Sequence, residues 1–272
     1  MEDFIKILGC RGSVPRDGDD FLKYGGATSC YAISLGGRLI LVDAGSGILR
    51  IDELLDGAKS ADLFLTHTHA DHIVGLPMCR PAFDKDFVFR VYGKTRDGLD
   101  TKAQLNAYLE LPNWPVDIDG LNASFEFEEL KDDFILSPKN ESNPIRVSAL
   151  EAAHPGGCSI LRFDCAGKSV VVATDCTIKE CNEEKTLGFA KDTDILLIDG
   201  QYSPKAFSGS AGFGHNSWLK ASEFGKLCGA KKTLLIHHDP FHTDGILDKA
   251  GEEIAQINVN AAFAREGEII SL

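Results

Sequence analysis

Residues 65–77 read LTHTHADHIVGLP. Three histidines and an aspartate fall between His67 and His72, in a chain of 272 residues that holds only eight histidines. The stretch before it, ADLFLTH, reads as a strand, and DHIVGLPMC begins a short helix that Pro77 limits. In an extended segment His67 and His69 share a side, while Thr68 points away. Asp71 and His72 follow where the chain turns into the helix. This spacing puts two imidazoles on one metal ion and offers a carboxylate and an imidazole to a second. Such donors suit zinc, and also manganese or iron.

Other apolar strands end in the same kind of residue. LFLT runs to His67, VSALEAA to His154, VVVAT to Asp175, ILLI to Asp199 and TLLI to His237. Ligands bind at the carboxyl ends of strands in sheets covered by helices. One such ending is an ordinary cap; the whole set beside the 67–72 cluster argues for a single site on one edge. Two metals about 3.5–4 Å apart need a bridging ligand, and Asp175 is the natural carboxylate for it. His237, the first residue beyond its strand, is preferred to His238 as a ligand. His238 is then substrate-facing or structural, and His242 either touches the pocket or lies on a surface loop, the second being preferred.

Around this core the chain alternates short strands and helices. DFIKILG, CYAISLGG and RLILVDAG read as strands turning at glycine pairs. SGILRIDELLDGAKS reads as a helix, as do segments near 99–110, 179–190, 217–228 and 243–257. SPKAFSGSAGFGHNS reads as a loop. No linker interrupts the pattern, so one α/β domain over residues 1–272 is expected, with two sheets stacked between helical layers. Net charge is -13, and residues 97–133 hold ten Asp/Glu against two Lys/Arg. That surface repels polyanions, so a long nucleic-acid partner is not expected. No run of about 18 apolar residues and no signal pattern appears, which points to a cytoplasmic protein with no membrane span. The eight cysteines form no C-x-x-C pair and read as reduced, mostly buried thiols.

The hexapeptide HTHADH, with LVDAGSG before it and a later lone His, an Asp and a last His, resembles the signature of the metallo-β-lactamase fold hydrolases. The resemblance implies a four-layer αββα sandwich with its metals on the sheet edge. It implies that His67, His69 and His154 hold a first divalent metal ion. Asp71, His72 and His237 would hold a second, with Asp175 bridging and zinc the expected metal. Asp43, in VDAG, would orient a ligand through a hydrogen bond.

LTHTHADHIVGLP also resembles the phosphodiesterase branch of that family, which includes tRNA 3′-end nucleases and cyclic-nucleotide phosphodiesterases. GHNSWLKASEFGKLCGAKKTLLIHH is similar to that branch's Gly-His-Ser/Thr segment. It implies His215 as a proton donor to the leaving group and Asp199 as the carboxylate that holds it. The basic arm of the tRNA nucleases has no counterpart here. The expectation is a phosphodiesterase of a small (cyclic) nucleotide or related phosphodiester, acting through a hydroxide between the metals that Asp71 helps orient. Backbone amides near Gly12–Ser13 or Gly156–Gly157 are offered as extra donors. A homodimer is expected by analogy with relatives. The alternatives are a lactone or thioester hydrolase on the same fold, or a non-catalytic metal or ligand binder.

Overall fold

The computed structural model describes residues 2–137, 143–178, 183–207 and 213–272. The strands are β1 Phe4–Gly9, β2 Cys30–Leu35, β3 Arg38–Val42, β4 Ser60–Phe64, β5 Val88–Gly93, β6 Ser124–Glu129 and β7 Asp133–Leu136. They continue as β8 Ile145–Ala152, β9 Cys158–Cys165, β10 Lys168–Ala173, β11 Ile195–Asp199, β12 Lys232–Ile236, β13 Ala261–Phe263 and β14 Ile269–Ser271. Among the described residues these form two seven-stranded sheets, ordered β14-β1-β2-β3-β4-β5-β6 and β13-β12-β11-β10-β9-β8-β7. Both are mixed. Strands β3 to β6 run parallel, as do β10 to β13, while hairpins at the other flanks are antiparallel. The β2–β3 hairpin turns at Gly36 and Gly37, with φ of 53° and 73°. Both residues of such a two-residue turn need the left-handed region, hence the glycine pair.

Three apolar layers explain why the central strands read as unbroken hydrophobic runs. Between the sheets lie Ile33, Ile40, Val42 and Phe64 against Val147, Phe163, Val170 and Leu197. Outside the second sheet, Val171, Leu196 and Leu235 pack on the helices Trp218–Leu227 and Asp244–Ile257. Outside the first, Leu41, Leu63 and Val91 pack on Ile48, Ile73 and the helix Thr101–Tyr108, through Leu105. Alternate residues of one strand therefore feed different layers, as Leu196 and Leu197 do. The order helix, sheet, sheet, helix is the expected αββα sandwich.

Some expected elements differ. The helix expected over 46–60 is a 3-10 turn, Ser46–Arg50, followed by a single helical turn, Asp52–Leu55. Gly57 and the left-handed Asp56 stop it. A short helix, Pro204–Phe207, lies within the expected 203–217 loop. The helix expected near 179–190 is seen from Glu183 to Ala190, and residues 179–182 and Cys181 lie outside the described residues. The seven described cysteines are buried and free. Among the described residues, no helix is long and apolar enough to cross a membrane.

Strands β3, β4, β8, β10, β11 and β12 all deliver their carboxyl ends to one edge of the stacked sheets. Every residue singled out as a strand ending in the sequence falls there.

Candidate metal centre and active site

Three corners of this edge have unusual backbones. Asp43, Asp175 and His237, just beyond β3, β10 and β12, have φ of 61°, 45° and 61°. Left-handed backbone in a non-glycine residue is uncommon and costs of order ~1–3 kcal/mol unless the surroundings hold it. Here it turns each side chain off the strand axis into the site.

The histidines come from both sheets. His67 and His69 follow β4, His72 sits in the short helix Ala70–Ile73, His154 follows β8 and His237 follows β12. His69 Nδ1 and His154 Nε2 face each other at 3.1 Å. Suitable donor atoms of His67, His69, His154 and Asp175 lie within 4.8 Å of one another, as do those of Asp71, His72 and His237. Asp175 stands between the two groups. Its Oδ2 is 3.8 Å from both His67 Nε2 and His154 Nε2, and its Oδ1 is 3.2 Å from His72 Nε2 and 3.3 Å from His237 Nε2. Asp71 Oδ2 is 3.0 Å from His237 Nε2 and accepts from the Ser13 amide at 2.7 Å.

The donors fit a cation. His67 Nε2 and His72 Nε2 are buried ring nitrogens with no hydrogen-bond partner, an arrangement that is costly unless something else satisfies them. Burial lowers the pKa of His67, His69 and His154, the last to about 4, so these rings are neutral lone-pair donors. Burial also opposes charge on His72 and His237. There the carboxylates of Asp175 and Asp71 win, raising His72 well above its usual value and His237 to about 9. Burial pushes Asp175 up too, but the His237 and His72 rings outweigh it and hold this carboxylate ionised. Carboxylates that pull protons onto two rings will equally attract a divalent ion.

Asp43 braces the first half of the site. It accepts from the Thr66 amide and hydroxyl at 2.8 and 3.0 Å, and His72 Nδ1 donates to its Oδ2 at 2.7 Å. This fixes which His72 nitrogen faces Asp175 and joins the ends of β3 and β4. Asp43→Ala should weaken metal affinity by ~10–100-fold, measured by chelator competition. Unchanged affinity would reduce Asp43 to a structural brace.

On the other side, His215 Nδ1 donates to Asp199 Oδ2 at 2.6 Å. Asp199 is fixed in turn by the amides of Asn216 and Gln201 at 3.0 and 3.2 Å. The His215 ring stacks on His237 with centroids 4.9 Å apart, and Tyr202 meets its edge at 5.7 Å. Donor atoms of His215, Asp175 and His237 also lie within 4.8 Å of one another, so this ring borders the cluster directly.

Two glycines make room for these rings. A Cβ on Gly12 would lie 2.5 Å from His237 Nδ1, and one on Gly214, whose φ is +84°, would lie 2.1 Å from His154 Nδ1.

Several sequence expectations change. Three of the four backbone donors offered for substrate are already engaged: Ser13 N on Asp71, Gly12 N on His238 O and Gly157 N on His154 O. His238 is structural, since its Nε2 donates to Ala264 O inside the protein. His242 does lie in a loop, but it is half-buried there, with its ring against Trp218 at 5.4 Å. The sequence reading missed Arg11, fully buried, whose guanidinium binds the carbonyls of Gly25, Asp239 and His242. It thereby anchors the loop that follows His237. It also missed Arg96, discussed below. Neither has a local signal, because each acts on residues far along the chain.

Two stacked mixed sheets between helices, with a His-x-His-x-Asp-His segment and a central aspartate on one edge, define a class: the metal-dependent hydrolases of the metallo-β-lactamase fold. The chain belongs to the β-lactamase superfamily, whose domain matches residues 38–238. A ribonuclease Z of Clostridium beijerinckii is 32% identical over 167 residues, which are 57% of this chain and 46% of the relative's length. A ribonuclease Z of Treponema denticola is 25% identical over 291 residues, covering 90% of this chain and 92% of its own. The metallo-β-lactamase fold protein YhfI of Bacillus subtilis superposes with a TM-score of 0.72 at 20% identity, over 99% of each chain. The fold and the donor set together imply a bound divalent metal.

Proposed function

We propose that this protein is a phosphodiesterase that acts on a small diester with two divalent ions, zinc being the first choice. The Asp199–His215 pair carries the reading. Hydrolysis of an alkyl phosphodiester must deliver a proton to a poor leaving group, and a half-buried imidazole held at Nδ1 presents its Nε2 for that task. The names of the two ribonuclease Z relatives agree with phosphodiester chemistry. A net charge of -13 favours a small substrate over a polynucleotide.

In this reading His67, His69 and His154 would hold one ion and Asp71, His72 and His237 the other, with Asp175 the carboxylate common to both groups. When bound, the ions polarise the phosphoryl group and activate water at neutral pH. Asp71, fixed by Ser13 N and His237, orients the attacking water. His215, as imidazolium, then gives its Nε2 proton to the departing alkoxide and is left neutral, while Asp199 accepts from Nδ1–H and holds the ring in place.

A screen tests this directly. Zinc- and manganese-loaded protein is offered bis-p-nitrophenyl phosphate, cyclic mononucleotides, linear dinucleotides, a lactone and a thioester. Turnover confined to the phosphodiesters is expected. Turnover of only the lactone or thioester would replace the reading, and none at all would favour a binding role. Metal analysis of the same samples gives the ion count.

A further inference from the structure

Both donor groups pose the same structural problem. Each takes side chains from both sheets, so each needs the sheets held in register at this edge. His67 and His69 follow β4 of the first sheet, and His154 follows β8 of the second. Asp71 and His72 also follow β4, and His237 follows β12 of the second. Each group has an arginine beside it that reaches from the first sheet to the second. Arg11, just beyond β1, binds the carbonyls of Asp239 and His242, which come after His237. Arg96, just beyond β5, lies beside His154, and its side chain is only 12% exposed.

The Arg96 guanidinium forks across the gap between the sheets. Its Nη1 donates at 2.6 Å to Oε1 of Glu151, a β8 residue shortly before His154. Its Nη2 donates to Ser159 Oγ at 3.1 Å and to the carbonyl of Thr66, the residue before His67, at 3.4 Å. Ser159 N donates to that same carbonyl at 3.0 Å. The turn from His154 to Gly157 packs against the fork. A Cβ on Gly157 would lie 1.9 Å from Arg96 Nη1, and one on Gly156 would lie 3.8 Å from His69 Nε2. The base of the arginine is fixed as well. Its amide donates to Leu99 O and its carbonyl accepts from Leu99 N, while Gln104 Nε2 donates to the carbonyls of Lys94 and Leu99. Gln104 Oε1 in turn accepts at 3.1 Å from Thr68, which stands between His67 and His69. Glu151 is half-exposed, so its charge pairing with Arg96 adds little by itself. The contact matters for position, because a planar guanidinium fixes two partners at once.

We propose that Arg96 is a positioning residue that sets metal affinity at His67, His69 and His154, and that it leaves the Asp71, His72 and His237 group, braced by Arg11, unaffected. Arg96 acts through the Thr66 backbone and through the β8–β9 hairpin that carries His154. This rests on the two-group metal reading above.

Zinc affinity of each group alone, read by chelator competition, separates the claims. His237→Ala leaves the His67, His69 and His154 group complete, and His69→Ala leaves the other. Adding Arg96→Ala to the His237→Ala protein should weaken zinc binding by about 10–100-fold, the usual effect of losing an outer support. Adding it to the His69→Ala protein should leave affinity unchanged. Arg96→Lys, which keeps a charge for Glu151 but loses the fork, should fall between. If Arg96→Ala does not fold, Ser159→Ala and Glu151→Gln each remove one arm, and each should give a smaller loss confined to the first group. Equal weakening of both groups, or no weakening of the first, would overturn the role of Arg96 and leave the metal centre standing. A single-group protein that binds no zinc, or still binds two ions, would remove the two-group reading and this proposal with it.

Discussion

Asp175→Ala is expected to lower the metal content of the proposed two-ion site to one or none and to cut turnover by ~10³-fold or more. The estimate follows from losing several kcal/mol of charge stabilisation at the reacting centre. The reason lies in how the carboxylate is shared. One oxygen faces His67 and His154 and the other faces His72 and His237, at 3.2 to 3.8 Å. Without it, His67 and His154 converge with no anion beside them, and His72 and His237 keep only Asp71 at Nε2, so both halves lose affinity. Asp175→Asn keeps the shape and one acceptor, and should retain more metal than alanine does. Metal analysis by mass spectrometry reads both variants. Two ions retained in Asp175→Ala would show that the halves bind independently.

The second large effect is expected at His215. His215→Ala should lower kcat on an alkyl phosphodiester by ~10²–10⁴-fold, the usual worth of a positioned general acid. On p-nitrophenyl esters the loss should be far smaller, because p-nitrophenolate departs without a proton. Metal content should not change, since Nδ1 is engaged with Asp199 and the seven proposed ligands are intact. Asp199→Asn should reproduce part of the effect by releasing the ring. An equal loss on both leaving groups would move His215 from proton donation to substrate or metal binding.

Much of this site was legible in the sequence because its elements are local. His67, His69, Asp71 and His72 sit within one strand-to-helix corner, so spacing alone implies convergence. His154, Asp175, Asp199 and His237 were found because apolar strands announce where they stop. The rest depends on contacts between distant elements. Arg96 joins the end of β5 to Glu151 in β8 and Ser159 in β9, and nothing near residue 96 foretells it. His242 read as a surface-loop residue because its packing partner, Trp218, lies on a helix far along the chain. The glycine-rich turns were read as donors, yet the fold spends the amides of Gly12, Ser13 and Gly157 on its own groups. The edge strands β7, β13 and β14 are only three or four residues long, too short for alternation to show.

The left-handed corners at Asp43, Asp175 and His237 also limit how the protein can drift. A side chain branched at Cβ, such as valine, isoleucine or threonine, fits such a backbone poorly, whereas Asp, Asn, His and Gly tolerate it. A descendant that abandoned the chemistry would be released from the need for a metal donor but not from the shape of the corner. Substitution at these positions should therefore run toward Gly or Asn. A copy carrying Gly at two of the three would be marked, from its gene alone, as one that keeps the fold and has lost the reaction.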